Sequence, residues 1–152
     1  MSRVDDLLLR VRRAQMRPAY RRRVLDGVPH VSGVGELRLL RAIERLAAPG
    51  ARPSVGDIAV DLAVEHSTAS RAVHEADRRG LVSKSPCQDD QRRSLVALTD
   101  EGHAALERAT ANRRRIIADV VAGWPGHDVA RLIALLGRLV DGFDVLEHGR
   151  DG

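Results

Sequence analysis

The side chains best suited to chemistry cluster in one short stretch, Glu65-His66-Ser67-Thr68-Ala69-Ser70-Arg71. Serine and threonine hydroxyls donate and accept hydrogen bonds, so they suit phosphate oxygens and base edges alike. Arg71 can fork onto a guanine edge or neutralise a phosphate. A second stretch, Gln88-Asp89-Asp90-Gln91-Arg92-Arg93, sets two arginines beside acidic residues. An arginine projecting from a turn can enter a minor groove, where negative potential is concentrated. Asp90 is expected to be structural, orienting an arginine or pairing with neighbouring helices. The candidate nucleic-acid contacts are therefore His66, Ser67, Thr68, Ser70, Arg71, Arg92 and Arg93, of which Arg93 equally suits a solvated strand position.

Other constellations are thin. His103 and Glu107 lie four residues apart, on one face of an expected helix. Two ligands fall short of the three or four of an ordinary zinc site, so both are read as solvated and no metal is expected. Cys87 is the only cysteine, which excludes an internal disulfide. No lysine or histidine adjoins it in sequence to lower its pKa, so it is read as a lone thiol rather than a redox switch. The runs Arg21-Arg22-Arg23 and Arg113-Arg114-Arg115 suit either a DNA backbone or a solvated face. The chain carries no Walker loop, dinucleotide-binding glycine fingerprint, nucleophile elbow or His-Glu-x-x-His motif, so neither an enzyme nor a cofactor is expected.

The elements that must position the first stretch follow from periodicity. Val4, Leu7, Leu8 and Val11 predict a helix over 3–25, kinked or restarted at Pro18. Leu37, Leu40, Ile43 and Leu46 predict a second over 34–47. Ser54, with Asp57 three residues on, marks the capped start of a short helix burying Ile58, Ala59 and Leu62. A break at Ala63-Val64-Glu65 leads into a helix over 66–79, with Ala69, Ala72 and Val73 inward and Gly80 closing it. Strands over 81–85 and 93–98 then predict a hairpin with a charged tip. Thr99 caps a helix over 100–122, and Trp124-Pro125-Gly126 separates it from a last helix over 127–147. In that helix Val129, Leu132, Leu136, Leu139, Phe143 and Leu146 recur in the rhythm of one helix packed along another, a core or dimer stripe.

Composition agrees with a mainly helical, aliphatic protein. Apolar residues make up 43% of the chain, and Tyr20, Trp124 and Phe143 are its only aromatics. No apolar run is long enough to span a bilayer and no leader pattern opens the chain, so a cytoplasmic protein is expected. The net charge is +4, with Lys84 the sole lysine, but it is unevenly spread. Residues 1–25 hold eight arginines against two aspartates, a net of +6, whereas residues 53–100 carry a net of −2. Bulk charge thus favours the N-terminal helix as a polyanion partner, while the motif favours residues 66–71 and 92–93.

Short helix, turn, longer helix and hairpin form the layout of a winged helix-turn-helix, in which the first helix braces the one that enters the major groove. Residues 54–102 resemble the DNA-binding lobe of the MarR family of transcriptional regulators. The likeness rests on Ile58-Ala59-x-x-Leu62, on Ser67 to Arg71, on Arg79-Gly80-Leu81-Val82, and on Asp90-Gln91-Arg92 followed by Leu98-Thr99-Asp100-Glu101-Gly102. The flanking helices extend it over nearly the whole chain. The resemblance implies one MarR-like domain over 1–152: a winged helix-turn-helix lobe at 34–99 and a helical dimerisation lobe from 3–25 and 100–147. It further implies a homodimer on a palindromic DNA operator, usually a repressor, released by a small, often aromatic, anion or by oxidation. Tyr20 and Trp124 are the only aromatics placed to stack on such an effector, and both are expected to pack instead. Three positions depart from the family pattern: Ala63 where glycine is frequent, His66 where proline is frequent, and Gln91 where arginine is frequent. The last two bear on operator sequence more than on fold. The net of −2 over the reading lobe motivates a competing function, a dimeric winged-helix interaction module that does not bind DNA.

Overall fold

The computed structural model describes residues 2–47, 51–87 and 93–148. Proline has no amide hydrogen to continue a helix, and the N-terminal helix restarts at Pro18, giving α1 (Ser2–Met16) and α2 (Pro18–Leu25). Then come α3 (Val34–Leu46), α4 (Val55–Leu62), α5 (His66–Arg78), β1 (Val82–Pro86), β2 (Ser94–Leu98), α6 (Asp100–Val121) and α7 (Gly126–His148). The chain forms two compact units, residues 1–114 and 115–152, with the division falling inside α6.

In the first unit, Leu37, Leu39, Leu40 and Ile43 of α3 are buried against the inward faces of α4 and α5 and the inner side of the hairpin. Ile58 and Ala59 come from α4, Ala69, Val73 and Ala76 from α5, and Leu81, Val82 and Val96 from the hairpin. Small alanines on the inward face of α5 let that helix approach its neighbours closely. Leu62 and Ala72, both expected inside, are half-buried, and Val55 joins the α4 core face instead.

The strands pair antiparallel, Val82 opposite Leu98 and Pro86 opposite Ser94. β1 starts one residue later than the pattern predicts because Leu81 is committed to closing α5. Its amide bonds to the Ala76 carbonyl at 2.9 Å, and the Gly80 amide bonds to the Asp77 carbonyl at 3.0 Å. This pair of bonds needs a left-handed residue between them, and Gly80 supplies it with φ +74°. Pro86, read as turn from sequence, forms the last rung of β1, a strand end where a missing donor is tolerated. The segment before α4 adds a third, minimal edge to the sheet. Ser54 bridges Leu95, and the Val96 amide bonds to the Pro53 carbonyl at 2.8 Å.

Candidate nucleic-acid interface

The position of α5 is set at both ends. Before it, α4 begins with a complete capping box: the Asp57 amide donates to Ser54 Oγ at 3.2 Å, and the Ser54 amide donates to Asp57 Oδ2 at 2.8 Å. Those bonds to Ser54, helped by the Arg93 charge, hold the Asp57 carboxyl below its ordinary pKa. α4 ends at Ala63, which adopts a left-handed conformation with φ 53° and ψ 49°. Arg45 of α3 clasps Asp61 of α4 through two nitrogens. At the far end of α5, Arg79 pairs with Glu75 at 2.9 Å and with Glu36 of α3 at 3.6 Å.

Held in this way, α5 turns His66, Ser67, Thr68, Ser70 and Arg71 out to solvent. Glu65, the N-cap, makes no side-chain capping bond to the amides of the first turn. Phosphate oxygens are natural acceptors for such amides. Sequence reasoning missed His74 and Lys84. Both line a recess beside Ser70, Arg71, Val55 and Ser94, between α5 and the hairpin. His74 was legible in principle, since it lies four residues after Ser70 and three after Arg71 on one helix face. Lys84 comes from β1, and its place beside α5 depends on the strand pairing.

Several acidic residues of this region are committed to structure. Asp57 is capped by Ser54 and lies 3.7 Å from Arg93; Asp77 pairs with Lys84 at 3.2 Å; Glu75 meets Arg78 and Arg79. No ion pair among the described residues involves Arg71 or Glu65. Pairing leaves the net of −2 unchanged, because it engages Arg78, Arg79, Lys84 and Arg93 as well, but it leaves Arg71 as an exposed cation on α5, with Glu75, four residues on, held by Arg78 and Arg79.

Among the predicted hairpin residues, Arg93 leans back onto α4, its Nη2 donating to Ser54 Oγ at 3.2 Å. Asp90 and Arg92 lie outside the described residues. Cys87 is half-buried, with its amide bonded to the Arg93 carbonyl at 2.9 Å. His103 and Glu107 are exposed on α6, and no group of three His, Cys, Asp or Glu among the described residues is placed to hold a metal ion. No helix among the described residues is long and apolar enough to cross a membrane.

Residues 29–93 match the sequence model of the MarR family. The chain is 28% identical over 104 residues to the HTH-type transcriptional regulator PecS of Dickeya dadantii strain 3937, a stretch covering 68% of this chain and 62% of that relative. Its fold is similar to that of a MarR family protein from Bacillus stearothermophilus, with a TM-score of 0.79 at 17% identity over 94% of each chain. FabT of Streptococcus pneumoniae, solved in complex with DNA, superposes with a TM-score of 0.73 at 13% identity over 95% of this chain and 98% of its own. The capped bracing helix, the outward-facing α5, the hairpin and these likenesses agree: the chain has the winged helix-turn-helix fold seen in MarR family proteins, and its residues 29–93 match that family's sequence model.

Proposed function

We propose that the chain is a homodimeric transcriptional repressor that reads a palindromic operator with α5 and the hairpin. The observation that carries this reading is the outward face of α5. Ser67, Thr68, Ser70 and Arg71 are exposed together while Asp57, Glu75 and Asp77 are held by structural partners. The fold likeness to FabT, itself solved with DNA, supports it. The competing interaction-module reading rests on the net of −2 over this lobe, which pairing does not change; the exposed hydroxyls and guanidinium on α5 favour DNA over it.

The dimer is supported by exposed apolar side chains on two helices. On α1, Val4, Leu7, Leu8 and Val11 are 38–56% exposed, and on α7, Leu136, Phe143 and Leu146 are 45–68% exposed. Isolated exposed apolar residues are ordinary, but stripes repeated along a helix favour burial against another chain.

An effector role is supported by Arg41. Its Nη2 is buried and has no hydrogen-bond partner among the described residues. Burial, and then the Arg113 charge, lower its proton affinity, which Tyr20 and Glu44 act to raise. A small anion would supply both the missing acceptor and the missing charge.

Selection of duplexes from a random pool, with sedimentation of the free protein, tests the function. The expected outcome is a dimer that enriches two inverted half-sites about one helical turn apart. A monomer, or a pool with no enriched sequence, contradicts it.

A further inference from the structure

Sequence alone leaves Arg93 as either a wing arginine that contacts DNA or a solvated strand residue. Its geometry points elsewhere. The guanidinium turns inward along the hairpin root, with Nη2 3.2 Å from Ser54 Oγ and 3.7 Å from Asp57 Oδ2. Both partners belong to the capping box that starts α4. The same place holds the Ser54–Leu95 bridge and the 2.8 Å bond from the Val96 amide to the Pro53 carbonyl. Nearby, Arg52 Nη1 reaches Ser85 Oγ of β1 at 3.4 Å. The segment before α4 is thus stitched to both strands, and Arg93, the residue before β2, makes the only charged tie from the hairpin to the capping box among the described residues.

We propose that Arg93 is a positioning residue: it locks the root of the hairpin to the N-terminus of α4, so that hairpin and α5 meet DNA as one rigid unit. This rests on the DNA-binding reading above. The pair is about half exposed on both sides, at 54% and 52%, so it adds little to global stability. Its effect is to restrict where β2 begins. The recess lined by Ser54, Asp57, His66, Ser70, Arg93 and Ser94 lies at this junction, where the start of α5 faces the hairpin root. A hairpin free to swing there would present its tip to the duplex over a wider range of angles, and ordering it would oppose binding. Because Arg93 acts through Ser54 and Asp57, its removal should not change how many phosphates the protein neutralises.

The test uses the full chain with Arg93→Ala, Arg93→Lys and Asp57→Asn, alone and combined, on a duplex selected by the wild-type protein. Arg93→Ala is expected to weaken binding roughly two- to fivefold, with the slope of log affinity against log salt unchanged. In the Asp57→Asn background it should have little further effect, and Arg93→Lys should restore most of the loss. Amide exchange of Val96, followed without DNA, should quicken in Arg93→Ala and recover in Arg93→Lys. A slope reduced by about 0.9 would make Arg93 a phosphate contact and overturn the proposal. Unchanged Val96 exchange, or no rescue by lysine, would overturn it as well. If the wild-type protein selects no duplex, the DNA-binding reading fails on its own, while the exchange measurement still decides whether Arg93 ties the hairpin to α4.

Discussion

Thr99 Oγ1 donates a hydrogen bond to the Gly80 carbonyl at 2.6 Å and accepts one from the Gly102 amide at 3.1 Å. One hydroxyl thereby joins the end of α5 to the start of α6. It satisfies a carbonyl left open where α5 stops and an amide left open where α6 begins. The Thr99 amide adds a bond to the Leu81 carbonyl at 3.1 Å. The Leu98-Thr99-Asp100-Glu101-Gly102 motif is thus a junction that ties the end of α5 to the start of α6.

Gly102 is the tightest point of this junction. A methyl group there would collide with the Leu81 carbonyl oxygen, which is backbone and cannot rotate away. Gly102→Ala is expected to lower unfolding free energy by about 3 kcal/mol, measured by urea denaturation. Near wild-type stability would contradict the close approach.

Ala63 occupies the turn between α4 and α5 with φ 53°, a conformation that strains a residue with a β-carbon. Ala63→Gly relieves that strain but loosens the unfolded chain, for an expected net gain of about 0.5–1 kcal/mol. The same denaturation series checks it. A loss of stability would show that the turn is not left-handed in solution.

The Asp57 carboxyl is held below its unfolded value of 3.8 mainly by its hydrogen bonds to Ser54. A lowered carboxylate pKa stabilises the fold above the unfolded value, and that contribution disappears as pH falls through the folded value. Asp57→Asn should therefore be less stable than wild type at neutral pH, with the difference shrinking in acid below the ordinary carboxylate range. Thermal melts across that range check the sign. A gap that widens in acid would contradict it.

Arg41 provides a test of effector response. A panel of small aromatic and aliphatic carboxylates should contain members that weaken duplex binding by the wild-type chain, and Arg41→Gln should bind duplex with that response lost. The check is anisotropy titration with and without each acid. A full response in Arg41→Gln would place the anion elsewhere.

Much of the reading lobe was legible because its signals are local. The apolar period placed α3, α4 and α5, the Ser54–Asp57 spacing announced a capping box that forms, and Gly80 marked the end of α5 where a left-handed residue is needed. What was not legible depends on residues far apart in sequence. Nothing in Ala51 to Ser54 alternates like a strand, yet Ser54 bridges Leu95 once the hairpin lies beside it. Arg93 looked like a surface arginine because its partner Ser54 lies 39 residues away. Glu36 and Arg79 meet only when α3 and α5 pack together. The charge count over 53–100 carries no geometry, so it could not show which of its acids and bases pair with one another.

The central claim is that α5 presents Arg71 to a DNA duplex. It is tested most directly by duplex affinity over a series of salt concentrations, for wild type, Arg71→Ala and Glu65→Gln. The account predicts steep weakening with salt for the wild-type chain. Arg71→Ala should lose about 1–3 kcal/mol of binding, with a slope reduced by about one if Arg71 meets a phosphate. Glu65→Gln should bind more tightly, because the acid beside the open helix terminus is gone. Duplex binding that is absent at low salt, or unchanged in Arg71→Ala, would contradict it.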